Sequence, residues 1–253
     1  MPRFMDKDEK MESSKIPGMQ GFQFSGIRTE HLGATEYTLV TIAIDITGSV
    51  AGFEKDLRNS LIAAVEACKK SPRSDNLLLR VITFSDNLKN GVEEIHGFKP
   101  LAEIDPQAYP DLQPGGMTPL FDAAYSCVGA INVYAKKLMD DEFLTNGIVF
   151  IITDGEDNAS KATPSMIKKQ IEKAIKGEEI ESLIAILIGI NLTNCAPALE
   201  NFRQEAGINQ FIDAGQATKG KLAKLADFVS QSVSSQSQAL GSGGPSQKIS
   251  ATI

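Results

Sequence analysis

The chain has 253 residues, 42% hydrophobic and 23% charged, a balance suited to one globular α/β domain with tails. A formal charge of −7 and a pI near 5.0, with no basic cluster, argue against nucleic acid as the main partner. No apolar run reaches membrane-span length, and Met1–Lys10 carries acids where a secretory signal would have an apolar core, so a cytoplasmic protein is expected.

Cys68, Cys127 and Cys195 are odd in number and far apart, with no Cys-x-x-Cys, which argues against a disulfide framework or a zinc site. Cys68 and Cys127 fall on apolar helix faces and are expected as buried small hydrophobes.

Residues 1–15 are charged and aperiodic, the composition of a disordered arm, and residues 16–36 hold enough apolar side chains to pack on the body as an extension. The body is expected over 37–230. It opens with Tyr37-Thr-Leu-Val-Thr-Ile-Ala-Ile-Asp45, an apolar run typical of a strand buried on both faces. Leu57, Leu61, Ala64, Val65 and Cys68 then recur at helical spacing, predicting a helix over about 51–70 that Ser71-Pro72 stops. Leu77–Phe84 reads as a second buried strand, and Gly91–His96 as a short third strand at a sheet edge. A long proline-containing connection runs from Phe98 to Pro114 and ends in Gly115-Gly116. Thr118 is placed to cap a helix over about 119–140, with Pro119 at its first position.

Gly147–Thr153 is the fourth predicted strand, closing at Asp154-Gly155, and a helix follows behind Pro164. A fifth strand near 182–189, a helix near 196–206, a sixth strand at 210–213 and a last helix around 216–233 complete the body. Residues 231–253 are rich in Ser, Gln and Gly and read as a flexible tail. The alternation predicts an α/β fold: a doubly wound, mostly parallel six-stranded sheet with helices on both faces.

Asp45, Thr47 and Ser49 follow the first strand, Thr118 opens a helix, and Asp154 closes the fourth strand. In a doubly wound sheet these two strands are neighbours where the strand order reverses, so the loops share one crevice. Hard oxygen donors gathered there suit Mg2+, and Mn2+ would fit the same octahedron. Gly48, Gly116, Met117, Gly155, Glu156 and Asp86 form the expected partner-binding rim, with Ser85 a surface turn. His31 and His96 lie outside these loops and are expected to be structural or exposed.

Together these motifs resemble the von Willebrand factor A family, whose metal-ion-dependent adhesion site uses Asp-x-Ser-x-Ser, a distant Thr and a distant Asp. Asp45-Ile-Thr47-Gly-Ser49, Gly-Gly-Met-Thr118-Pro and Thr153-Asp154-Gly fill the three parts in order, over about 37–230, with Thr47 standing where the family more often has Ser. The resemblance, to the intracellular bacterial or phage type, implies a Rossmann-like fold. It also implies a metal held by Asp45, Thr47, Ser49, Thr118 and Asp154, with a partner's Glu or Asp completing its coordination. In some members this couples to movement of the last helix. Intracellular relatives work with MoxR-type AAA+ ATPases or in other assemblies, so an adaptor with a protein partner is expected, rather than an enzyme.

Two other classes compete. A haloacid-dehalogenase-type phosphatase also binds magnesium after its first strand, but it needs Asp-x-Asp, and position 47 is Thr. A serine hydrolase needs a base that neither histidine is placed to supply, and no Gly-x-Gly-x-x-Gly follows the first strand. A structural assembly protein, whose metal site only ties loops together, is the third reading.

Overall fold

The computed structural model describes residues 10–177 and 180–243. Within them the elements run β1 (Met11–Lys15), β2 (Gln23–Ile27), β3 (Glu36–Asp45), α1 (Glu54–Lys69), β4 (Leu77–Phe84), β5 (Val92–Pro100) and α2 (Leu120–Asp140). They continue with β6 (Leu144–Thr153), α3 (Pro164–Lys176), β7 (Leu183–Gly189), α4 (Ala196–Ala206), β8 (Gln210–Asp213) and α5 (Lys219–Ser242). The sheet order is β1-β2-β5-β4-β3-β6-β7-β8. β3 lies at the centre, parallel to β4 on one side and β6 on the other, and the chain reverses its direction of travel between β3 and β6.

β3 is buried along nine of its ten residues because both its faces carry helices. Side chains alternate across a strand, so Tyr37, Leu39 and Ala43 enter one core with α2, α3 and α4. Val40, Ile42 and Ile44 enter the other with α1 and α5. This is the doubly wound α/β architecture expected from the alternating pattern. No helix among the described residues is long and apolar enough to cross a membrane.

The sheet has eight strands among the described residues instead of six. The two additional strands come from the N-terminal segment: β1 pairs antiparallel with β2, and β2 joins β5 in parallel at Gly26↔Phe98. Residues 11–15 of the expected arm are therefore a strand, and residues 1–9 of it lie outside the described residues. β5 extends to Pro100, pairs antiparallel with β4, and is interior because the hairpin lies beyond it.

That junction is close: a Cβ on Gly97 would stand 2.1 Å from the Ser25 carbonyl oxygen, so no larger residue fits. It is also polar. Arg80, fully buried, donates from Nε to Glu94 Oε1 at 2.6 Å. Glu94 Oε2 in turn accepts from the Ser25 backbone N–H at 3.1 Å and the Ser25 hydroxyl at 2.8 Å.

The last helix also differs from expectation. It does not give way to a flexible tail at residue 231 but runs to Ser242 and ends at Gly243, whose φ of +65° is the left-handed conformation favoured at helix C-termini. Val233, Gln236, Ser237 and Leu240 are buried. Asn146 Nδ2 donates to the Gln236 carbonyl at 2.8 Å and Arg73 Nε to the Ser237 hydroxyl at 3.0 Å. Polar residues are held by partners on the body here, which composition does not reveal. Residues 244–253 of the expected tail lie outside the described residues.

Candidate metal centre

β3 and β6 pair in register through Ile44↔Ile152, which brings Asp45 and Thr153 side by side at the carboxyl end of the sheet. Asp45 is 1% exposed and each of its oxygens accepts a hydrogen bond. The Thr47 backbone N–H donates to Oδ1 at 2.8 Å, and the Thr153 hydroxyl donates to Oδ2 at 2.6 Å. Asp154, the next residue, is half-buried; its Oδ1 accepts from the Ser49 hydroxyl at 2.7 Å. The Thr47 and Ser49 hydroxyl oxygens lie 3.1 Å apart, which links the first motif into a continuous chain from Asp45 to Asp154.

The second loop is fastened to the first by the backbone. The Gly48 N–H donates to the Gly116 carbonyl at 3.1 Å and the Gly115 N–H to the Ile46 carbonyl at 2.9 Å. This pair carries the chain to Thr118, which is 5% exposed. Thr118 does not cap α2. The helix starts at Leu120 with Pro119 in the capping position, so neither residue occupies the place expected for it. The Thr118 hydroxyl has no hydrogen-bond partner among the described residues. Its backbone is clasped instead by Asn158: the Thr118 N–H donates to Asn158 Oδ1 at 2.7 Å, and the Asn158 N–H to the Thr118 carbonyl at 3.0 Å.

Hydrogen bonds thus link Asp45, Thr47, Ser49 and Asp154, and the backbone fastens the Thr118 loop to the first of their loops. Burial pushes the Asp45 carboxyl up to about 6, and the nearby Asp154 charge adds to this, while the bonds from Thr153 and Thr47 oppose it. Burial raises the Asp154 carboxyl as well, against the Ser49 bond. No lysine or arginine charge lowers either of them. Two carboxylates brought together without a counter-charge, on loops fastened to the one that carries the Thr118 hydroxyl, fit a small divalent cation. Among the described residues no three His, Cys, Asp or Glu side chains form a group that could hold a metal ion.

The rim residues divide. Met117 is 52% exposed beside Thr118, and Gly48, Gly116 and Glu156 are also exposed, with Gly155 half-buried. Asp86 is exposed but committed to the loop: its Oδ1 accepts from the Met117 N–H at 2.6 Å. Ser85 is not a surface turn. It is 1% exposed and its hydroxyl donates to the Gly115 carbonyl at 2.5 Å.

Three further residues shape the site. Thr153 orients Asp45, and Asn158 holds Thr118. Asp122, 3% exposed on α2, accepts the Lys161 and Ala162 N–H groups at 3.0 and 2.7 Å, pinning the loop that follows Asp154. Thr153 adjoins a motif residue in the sequence, but Asn158 and Asp122 carry no local signal. His31 is exposed, and His96 is half-buried between Gly97 and Tyr109, both away from the centre as expected. Cys68 and Cys127 are buried free thiols, and Cys195 is a half-buried free thiol.

No family model matches the chain, and no curated protein matches it in sequence. Among solved structures, the SpaC pilus adhesin of Lactobacillus rhamnosus GG in its open conformation is similar over 89% of this chain and 32% of that chain, at 9% identity and a TM-score of 0.55. Another form of SpaC gives 89%, 33%, 9% and 0.56. The chain therefore spans about a third of the adhesin's length. Proximal thread matrix protein 1 from the mussel byssus, with a zinc-occupied MIDAS motif, covers 80% of this chain and 47% of that chain at 16% identity, with a TM-score of 0.48, too low to carry weight. The adhesin likeness, at so low an identity, establishes the doubly wound fold and leaves chemistry to the residues at the carboxyl ends of β3 and β6.

Proposed function

We propose that this chain is a metal-dependent protein-binding module of the von Willebrand factor A type. It captures an acidic side chain of a partner through a divalent cation held by Asp45, Thr47, Ser49, Thr118 and Asp154. The observation that carries this reading is the meeting of Asp45 and Asp154 with no cationic side chain to neutralise them, on loops fastened to the one that carries the Thr118 hydroxyl.

Such a cation, magnesium by the hardness of its donors, supplies positive charge that two carboxylates and three neutral hydroxyls leave available to a partner's carboxylate. The chain's own residues do the rest. Thr153 and the Thr47 N–H hold Asp45 in one orientation, Asn158 fixes Thr118, and the Gly48–Gly116 bond keeps the first two loops in register. Exposed Met117 offers apolar contact at the rim, which suits a protein surface better than a small solute. The three free cysteines fit a reducing, cytoplasmic setting, where a MoxR-type AAA+ ATPase or another assembly component would be the partner.

An enzymatic role is disfavoured by Thr47, which cannot serve as the second carboxylate of a phosphatase. The test is titration of a fluorescent peptide bearing a single Glu, with magnesium or chelator, against wild type, Asp45→Ala and Thr118→Ala. Binding should require magnesium and be lost in both variants, with their circular dichroism unchanged. Equal binding in chelator would rule out the metal, and hydrolysis of a phosphate ester that Asp45→Ala abolishes would restore the enzyme reading.

A further inference from the structure

Beside the metal centre, α2, the loop after Asp154 and α4 enclose a groove of about 200 Å³. Its floor is apolar: half-buried Phe121 over the buried Leu120, Leu199 and Phe202, with the Phe121 and Phe202 rings 4.5 Å apart. Its walls carry Glu156, Asp157 and Glu205, and no basic residue lines it. Asp157 is partly committed, since its Oδ1 accepts from the Phe121 N–H at 3.1 Å and from the Ser160 hydroxyl. Glu205 accepts from Asn201 at 2.9 Å, while Glu156 is exposed and has no partner among the described residues. The groove starts close to the metal ligands: Leu120 is two residues after Thr118, and Glu156 two after Asp154.

We propose that this groove takes a Lys or Arg side chain of the same partner segment whose acidic residue is captured at the metal. The assignment rests on the metal-dependent reading above and adds a second, opposite-charge determinant to it. An aliphatic stem lies well on an apolar floor while its charged head reaches acids at the wall. A cation near Phe121 also gains from the aromatic face. Anionic or purely apolar side chains meet the three carboxylates unfavourably. Adjacent pockets of opposite demand select a segment carrying an acid and, within a few residues, a base, which gives register as well as affinity.

The test is selection of a displayed peptide library on the full chain in magnesium, followed by anisotropy titration of synthetic peptides carrying the acid alone or the acid with Lys or Arg at each nearby position. Wild type should enrich peptides with a base at a fixed distance from the acid. Glu205→Arg, which reverses an exposed wall charge, and Ala198→Trp, which fills the groove from a residue on its lining, should weaken acid-plus-base peptides about tenfold and leave acid-alone peptides and their magnesium dependence unchanged. Magnesium-dependent enrichment of acid with no preferred base overturns the groove assignment and spares the metal reading. So do acid-plus-base peptides whose affinity neither variant changes. Enrichment that persists in chelator or in Asp45→Ala overturns the metal reading, and a selection that enriches nothing overturns both.

Discussion

Gly116 has a φ of +79°, and a Cβ there would stand 2.3 Å from Asp86 Oδ1 and 2.5 Å from the Ser85 hydroxyl. Both the backbone and the space demand glycine, so Gly116→Ala should cost about 1–3 kcal/mol and displace Thr118. Urea denaturation should show an earlier midpoint and magnesium should bind less tightly; an unchanged midpoint would mean that the loop is not under this constraint. His96 gives a second residue-scale prediction. Its Nδ1 lies 2.9 Å from the Gly97 carbonyl and its Nε2 2.9 Å from the Tyr109 hydroxyl, so the neutral ring with its proton on Nδ1 satisfies both. Burial, with smaller effects from Lys99 and Arg80, pushes its pKa down to about 4, against about 6.5 unfolded. The unfolded chain then binds the extra proton between these values, so this stabilisation is complete above pH 6.5 and is lost as pH falls towards 4. Thermal melts at pH 7 and pH 5 should differ less in His96→Gln than in wild type; an equal difference would remove His96 as the cause. The five candidate donors were legible as residue types at predicted strand and helix ends. That Thr118 does not cap a helix was not, because α2 starts at Leu120 and the Thr118 N–H is taken by Asn158 from a distant loop.

Among the elements, α5 shows why composition misleads. Ser230-Gln-Ser-Val-Ser-Ser-Gln has the makeup of a solvated tail, yet Val229, Val233 and Leu240 continue a buried stripe, and Gln236 and Ser237 are held by Asn146 and Arg73. Deleting residues 231–253 should therefore lower stability by about 3–5 kcal/mol, from the lost burial of Val233 and Leu240 and the orphaned Asn146. Guanidinium titration measures this directly, and a truncation as stable as the full chain would show that the last turns add nothing. The N-terminal hairpin eluded the sequence for a related reason. Met11-Glu-Ser-Ser-Lys15 has no apolar alternation; it is placed by pairing with β2, which Glu94 on β5 joins through Ser25 to Arg80 on β4. The central strands were plain because burial on both faces leaves an unbroken apolar run, as in Leu77–Leu79 and Ile148–Ile152.

For the molecule as a whole, the central design is a sheet whose strands β4, β3, β6 and β7 each send side chains into both cores, with two unneutralised carboxylates at its carboxyl end. A net charge of −7 adds general repulsion, but the cost of burying the Asp45 carboxylate, increased a little by Asp154, is what a cation would relieve. A ligand that binds only the folded state stabilises it by mass action, by about 2.7 kcal/mol at a hundredfold excess over its Kd. In a domain of this size that corresponds to about 5–10 °C in Tm. Magnesium should raise Tm by such an amount in wild type, chelator should reverse it, and sodium chloride at matched ionic strength should not reproduce it, since general screening acts on all charges alike. Asp45→Asn removes one of the two charges and so should stabilise the metal-free fold slightly while abolishing the magnesium increment. A wild-type increment that sodium reproduces, or one that survives in Asp45→Asn, would assign the effect to surface screening and leave the carboxyl end of β3 without a cation.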